Sequence, residues 1–281
     1  MIYPSPPKPF FGFFGLALLI AMIIDLRVFA GSDFDPTRNI IYYTENFPPY
    51  NMQSDVKDSK TSGKLPTGRN TDILVEMFKI MNSPKSYKNI QVVPWARGYK
   101  DTLTRTDFNQ NGASALFSTT KSPERQPLFK WVCPLSHAKN SLITYKKNSR
   151  VNFHKNGLKD KSGLKFGVIR EDQGHHILIH KDKIDPKNII PVSQPIQMVK
   201  MIRTRKIDVI SYDPDVFKWT AKNNIQINFN DFNISEVINI GEHCIAFSLS
   251  TPDRVVDAHK KALDQVKENS ALMEAIEAKY R

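Results

Sequence analysis

The chain has 281 residues, 40% of them hydrophobic, with 40 Lys and Arg against 28 Asp and Glu, a formal net charge of +12 and a pI near 9.5. Such a balance points to nucleic acid only when the charge is clustered. Here it is scattered, densest in "YKKNSR" (145–150) and "MIRTRK" (201–206), with no zinc-finger, recognition-helix or RNA-binding signature, so no nucleic-acid partner is expected.

Residues 10–24, "FFGFFGLALLIAMII", form an apolar run of 15 residues. A membrane span needs about 20. Lys8 stands ahead of the run and "VFAG" behind it, the order of a secretory signal peptide cut after Ala30. An uncleaved anchor is the alternative, compatible with Asp25 and Arg27. Cleavage leaves residues 31–281, with formal charge 38 minus 27, or +11. That length suits one large domain or two modest lobes.

"NIIYYTE" (39–45) reads as a strand stopped by Pro48-Pro49, and the polar stretch 51–69 reads as a loop. From Thr71 the period changes: Ile73, Leu74, Met77, Phe78 and Met81 share one helical face, with Asn70 or Thr71 as cap and Asp72 at the positive end. "IQVVPW" (90–95) and "ASALFS" (113–118) are the next strands, around a short helix near Tyr99–Leu103. The second half repeats the scheme: strand "LKFGVI" (164–169), helix from Gln173, strand "NIIPV" (188–192), helix 195–205, strand "IDVISY" (207–212). Residues 252–280 close the chain as helix, anchored by Val255, Val256, Leu263, Val266, Leu272 and Ile276. This alternation predicts α/β architecture with mainly parallel sheets.

"ALFSTTKSPERQPLFKWV" (115–132) places Ser118, Thr119, Thr120 and Arg125 just past a strand. The hydroxyls can cap a short helix starting near Ser122, Arg125 can pair on the surface, or the stretch can hold an anion. Cys133 and Cys244 form no CxxC pair, so neither a zinc ribbon nor a thioredoxin-type site is supported. They can pair in an oxidising compartment, and sequence leaves that open. His176 and His180 stand four apart on one helical face, with only Glu171 or Asp172 as a loose third metal ligand. They are read as surface histidines, and neither a metal nor a cofactor is expected. There is no G-x-S-x-G elbow, phosphate-binding glycine loop or H-E-x-x-H helix.

The order "ENFPPYNM", "GRNTDILVEMF", "VVPWARGY", "ASALFSTTKSPERQPLFKWVCP", "GLKFGVIRED", "RKIDVISYD", "CIAFSLSTPD", "ALDQVKENSALMEAIEAKY" resembles the exported solute-binding proteins of polar amino-acid ABC transporters. The resemblance implies a two-lobed periplasmic-binding-protein architecture with a small polar solute trapped between lobes. Residues 33–140 and 245–281 would form a discontinuous first lobe, residues 141–244 the second, with "NSLITYKK" and "HCIAFSL" as hinge crossings. Both cysteines would then lie near the hinge.

The resemblance also assigns roles. Ser118, Thr120 and Arg125 would hold an α-carboxylate and Asp213 an ammonium, with Asp213 also reading as a helix N-cap before Pro214 and Asp208 as structural. Phe47 would stack on the solute, and Tyr50 is a second candidate or a core residue. Trp95 and Arg97, at the next strand end, would face the cleft, although "PWAR" departs from the best-known amino-acid binders. Gln173 or Asp172 would donate from the second lobe, or Asp172 would only cap. The expected partner is a membrane permease, and the expected state a periplasmic monomer. Two other classes compete: a dehydratase-type enzyme using Asp213, Glu45 or Glu171 as acid or base, and a ligand sensor.

Overall fold

Parallel strands buried on both faces read as near-continuous apolar runs, and the first such run becomes β1 (Ile40–Thr44) with Tyr42 fully buried. The computed structural model describes residue 1 and residues 34–57, 64–154, 156–223 and 227–280. The chain divides into two units, residues 1–35 and 36–281, and every strand and helix below belongs to the second. The apolar run 10–24 and the Ala30–Gly31 junction lie outside the described residues.

After β1 the stretch read as a loop forms an antiparallel hairpin, β2 (Met52–Lys57) with β3 (Lys64–Thr67), pairing Met52 with Thr67 and Lys57 with Lys64. Its polar composition hid the pairing. Gly68 follows at φ 120°, where a Cβ would lie 2.6 Å from the Tyr50 carbonyl oxygen, so glycine is required. Helix α1 (Arg69–Ile80) starts two residues earlier than expected and without a side-chain cap. Ile73, Leu74, Met77 and Phe78 are fully buried on its inner face, as their spacing predicts, while Asn70 hydrogen-bonds elsewhere.

The chain continues through β4 (Ile90–Val92), α2 (Trp95–Thr104), the single turn α3 (Phe108–Asn111) and β5 (Ala113–Thr120). The helix expected near Ser122 is instead a turn, in which the Ser122 carbonyl accepts from the Arg125 and Gln126 amides, before a 3-10 turn at Gln126–Leu128. Pro123 and Pro127 stop a longer helix. The long β6 (Lys130–Tyr145) leads to a small hairpin, β7 (Phe153–His154) and β8 (Gly157–Leu158). Next come β9 (Phe166–Ile169), α4 (Gln173–His176) with a π turn at Ile177–Lys181, and β10 (Ile189–Val192). Then follow α5 (Pro195–Arg203), β11 (Val209–Tyr212), α6 (Pro214–Lys222), β12 (Phe232–Ile234) and β13 (Asn239–Phe247). The closing helix is two, α7 (Asp253–Glu268) and α8 (Ser270–Ala278), because Asn269 leaves helical geometry and its side chain accepts from the Leu272 amide at 3.1 Å.

One mixed sheet runs β10-β9-β11-β6-β13-β5-β1-β4, with β12 also on β6. Its flanks are parallel, β4-β1-β5 and β10-β9-β11. The two long strands between them are antiparallel: β6 pairs with β13 through residues 130–140 and with β11 through 141–144. A disulfide joins Cys133 to Cys244 beside a register break in that central pair. Helices α1 and α7 pack the β4-β1-β5 flank around Phe78, Phe117, Phe247 and Leu263, where buried His259 bonds Tyr42 at 2.6 Å. Helices α5 and α6 cover the other flank through Val199, Ile202, Val216 and Phe217.

Candidate functional site

In an open α/β sheet the loops beyond the carboxyl ends of the strands carry the ligand site. In this chain those ends bring Glu45 and Phe47 (after β1), Thr120 and Arg125 (after β5) and Asp213 (after β11) into the interior, with the half-buried Glu171 to Gln173 (after β9) beside them.

Arg125 is the centre. It is 1% exposed, and its guanidinium lies 5.2 Å from the Trp95 ring centroid and 5.3 Å from that of Tyr99. Those two rings stand four apart on α2 and so share a face. Nη1 donates to the Thr120 carbonyl at 3.3 Å and Nη2 to the Glu171 carbonyl, which also accepts from Trp95 Nε1 at 2.9 Å. Arg125 Nε has no hydrogen-bond partner among the described residues. Glu171 holds φ 60°, an uncommon conformation that aims this carbonyl. Burial lowers the Arg125 pKa, opposed by the Asp172 charge. Burial raises the Glu45 carboxyl well above its ordinary range, helped by Asp172 and opposed by Arg125; it raises Asp172 too, again against Arg125.

Asp213 is 3% exposed. Its Oδ1 accepts from the Asp215 and Val216 amides at 2.8 and 3.0 Å, capping α6, while Oδ2 is buried without a hydrogen-bond partner. Burial pushes its pKa up to about 7. Because the folded state holds this proton more firmly than the unfolded chain (pKa about 3.9), its stabilising effect is full below about pH 4 and is lost as pH rises through 7. The whole effect is at most about 4 kcal/mol. The urea midpoint of the empty protein should therefore fall relative to Asp213→Asn from pH 5 to 8; parallel profiles would contradict the burial.

The other expected site residues divide. Phe47 stacks on Tyr50 at 5.3 Å and meets Tyr212 and His243 edge-on. Ser118, at φ 61°, donates to Asn51 and accepts from Asn70 at 2.9 Å, so its hydroxyl belongs to a protein network that extends from Asn70 to Ser136. Gln173 Oε1 is buried and unpartnered, and Asp172 makes no side-chain cap bond at α4. Arg97 does not join the cluster: it is exposed, 3.7 Å from Asp101 on its own helix. Asp208 is structural, accepting from Asn148 and the Lys165 amide at 2.9 Å each. Arg125 and Asp213 do not pair with each other; the charges acting on Asp213 are those of Asp215 and Lys139. His180 is exposed as expected, but His176 is not a surface residue, its side chain being 22% exposed.

Sequence reasoning missed Tyr99, Asn51 and the Glu171 carbonyl. Tyr99 alone left a signal, its i,i+4 spacing from Trp95. The α4 end of the site depends on Gly174, where a Cβ would lie 2.3 Å from the Ser211 carbonyl oxygen and 3.1 Å from Asn140 Nδ2. Gly174→Val should cost about 1–3 kcal/mol in urea unfolding by forcing α4 off β11; an unchanged midpoint would contradict that contact.

No protein-family model matches this chain, and no curated protein does. Solved structures match its fold. A histidine kinase sensor domain with similarity to periplasmic binding proteins has a TM-score of 0.70 at 16% identity, covering 88% of this chain and 97% of its own. The amino acid ABC transporter substrate-binding protein AbpA from Streptococcus pneumoniae, bound to L-arginine, has 0.65 at 15% identity, covering 88% and 98%. The GluR0 ligand-binding core from Nostoc punctiforme, in complex with L-glutamate, has 0.64 at 14% identity, covering 86% and 98%. The chain has the periplasmic-binding-protein fold.

Proposed function

We propose that this chain binds a small polar solute bearing a carboxylate, an amino acid or a similar molecule, and delivers it to the permease of an ABC transporter. The observation that carries the reading is Arg125: a guanidinium 1% exposed, held by two backbone carbonyls, with Nε unpartnered. A buried charge is stable when paired, and a carboxylate offers this fork two parallel bonds. Asp213 Oδ2, buried and unpartnered past β11, is the complementary acceptor for an ammonium group. Phe47 and Trp95 form apolar walls, with Ser118, Thr120 and Gln173 at the margins. Arg97 has no contact role in this reading.

The solute is held between two lobes, residues 33–140 with 245–281 and residues 141–244, that close about β6 and β13. The passage of those two strands between two parallel flanks supports that division. The protein acts as an exported periplasmic monomer, for which the disulfide is a second support beside the leader-like run. It is a binding protein and not an enzyme: Asp213, whose pKa burial pushes up to about 7, is fixed as a helix cap. A sensing role is the second reading, favoured by the likeness to a histidine kinase sensor domain. Calorimetric titration of the full chain with the L-amino acids tests the reading. Saturable one-to-one binding of at least one supports it, and no binding across the panel overturns it.

A further inference from the structure

We propose that His176, His180 and Glu171, with Glu124 from the facing segment, bind a divalent transition-metal ion of the zinc type beside α4. A cavity of about 200 Å³ is lined there by Ser122, Glu124, Gln173, His176, His180 and Lys181. Two of its polar atoms, His176 Nε2 and Gln173 Oε1, are buried without a hydrogen-bond partner. His176 Nε2 is 3.7 Å from Glu171 Oε2. The His176 and His180 rings stand one turn apart, 5.7 Å between centroids and 17° from parallel, His176 ending α4 and His180 on the π turn at Ile177–Lys181 that follows. Such turns recur at functional sites.

Imidazole and carboxylate together suit zinc and its neighbours rather than calcium or magnesium. Four donors of this kind match a tetrahedral ion at about 2.0–2.2 Å per bond. His180 is exposed, and an ion shared with His176 requires its side chain to rotate inward. Glu124 completes the set from the turn that carries Arg125, and its charge already acts on both histidines. Lys181 Nζ is engaged by the Ile238 carbonyl at 3.2 Å, and the Arg125 charge that reaches His176 is opposed there by Glu171. The bound ion would tie the segment after β5 to the segment after β9, the two that meet over Arg125. Among the described residues the one group of such donors already gathered within reach of a common ion is Cys133, Glu242 and Cys244, and its sulfurs are joined as the disulfide.

The proposal does not depend on the identity of the solute. Its test is titration of the full chain with Zn²⁺ by calorimetry and with Co²⁺ by visible absorption, without added solute. One equivalent of each should bind saturably, with Co²⁺ giving the intense band of a four-coordinate site. His180→Ala, an exposed and fold-neutral change, and His176→Ala should each raise Kd at least about tenfold, the low end of what even outer-shell losses cost. Glu124→Gln should weaken binding and alter the Co²⁺ spectrum, while the distant exposed His154→Ala should change neither. Absence of saturable binding, or binding and spectrum unchanged in the His176→Ala/His180→Ala double variant, would overturn it.

Discussion

Arg125→Ala should abolish solute binding at concentrations that saturate the wild-type protein. Losing one partner of a desolvated charge pair costs about 2 to 5 kcal/mol, or roughly 30-fold to several-thousand-fold in affinity. Folding should suffer much less, because the buried guanidinium is held by two carbonyls and two aromatic faces and makes no carboxylate ion pair among the described residues. Arg125→Lys should recover little, since an ammonium is a point charge and cannot make the paired fork contact. Arg125→Met keeps most of the volume under Trp95 and Tyr99, so it separates lost charge from lost packing. If Arg125 were merely structural, Met would bind like wild type and Ala would fail chiefly by unfolding. Wild-type affinity in a folded Arg125→Ala protein would place the solute elsewhere.

Removing the Cys133–Cys244 disulfide should have the largest effect on stability. The bond closes a segment with a sequence separation of 111 residues, which contains β7 to β12. The chain-entropy account gives about 4 to 5 kcal/mol for a loop of that size. Both sulfurs belong to the central strands β6 and β13, whose ladder beyond the register break persists without the link. The double Cys→Ala variant should therefore fold, with a urea midpoint lowered to match that loss and with solute affinity nearly unchanged. Equal midpoints with and without reductant, under conditions where alkylation counts two thiols, would refute the claim.

Much of this fold was legible because burial leaves a periodic trace. The α1 face repeats at helical spacing, and β1, β5, β9 and β11 read as apolar runs because helices cover both faces of their flanks. The hairpin at 52–57 and 64–67 carries too few apolar residues for alternation to show. The first half of β6 was hidden by Pro134 and by polar residues that pair only with distant β13. Asn269 broke a pattern that continued through it, since a cap acts locally while the apolar spacing persists.

Within the site, strand ends could be read and side-chain commitments could not. Arg125 and Asp213 follow strands, so their depth was foreseeable. Ser118 looked free for an anion because Asn51 and Asn70, which engage it, lie 67 and 48 residues away. Arg97 was grouped with Trp95, but two residues along a helix turn a side chain about 200° around the axis. Trp95 faces inward, so Arg97 faces out. Glu124 had no role in the stretch 115–132, and only the fold sets it opposite His176 and His180.

The most direct measurement is native mass spectrometry of the wild-type chain and Arg125→Met, each incubated with the full set of L-amino acids at equal concentration. The wild type should carry one small molecule bearing a carboxylate, in one-to-one ratio, and Arg125→Met should carry none at the same concentration. An identical adduct on both proteins, or a bound molecule without a carboxylate, would contradict the account.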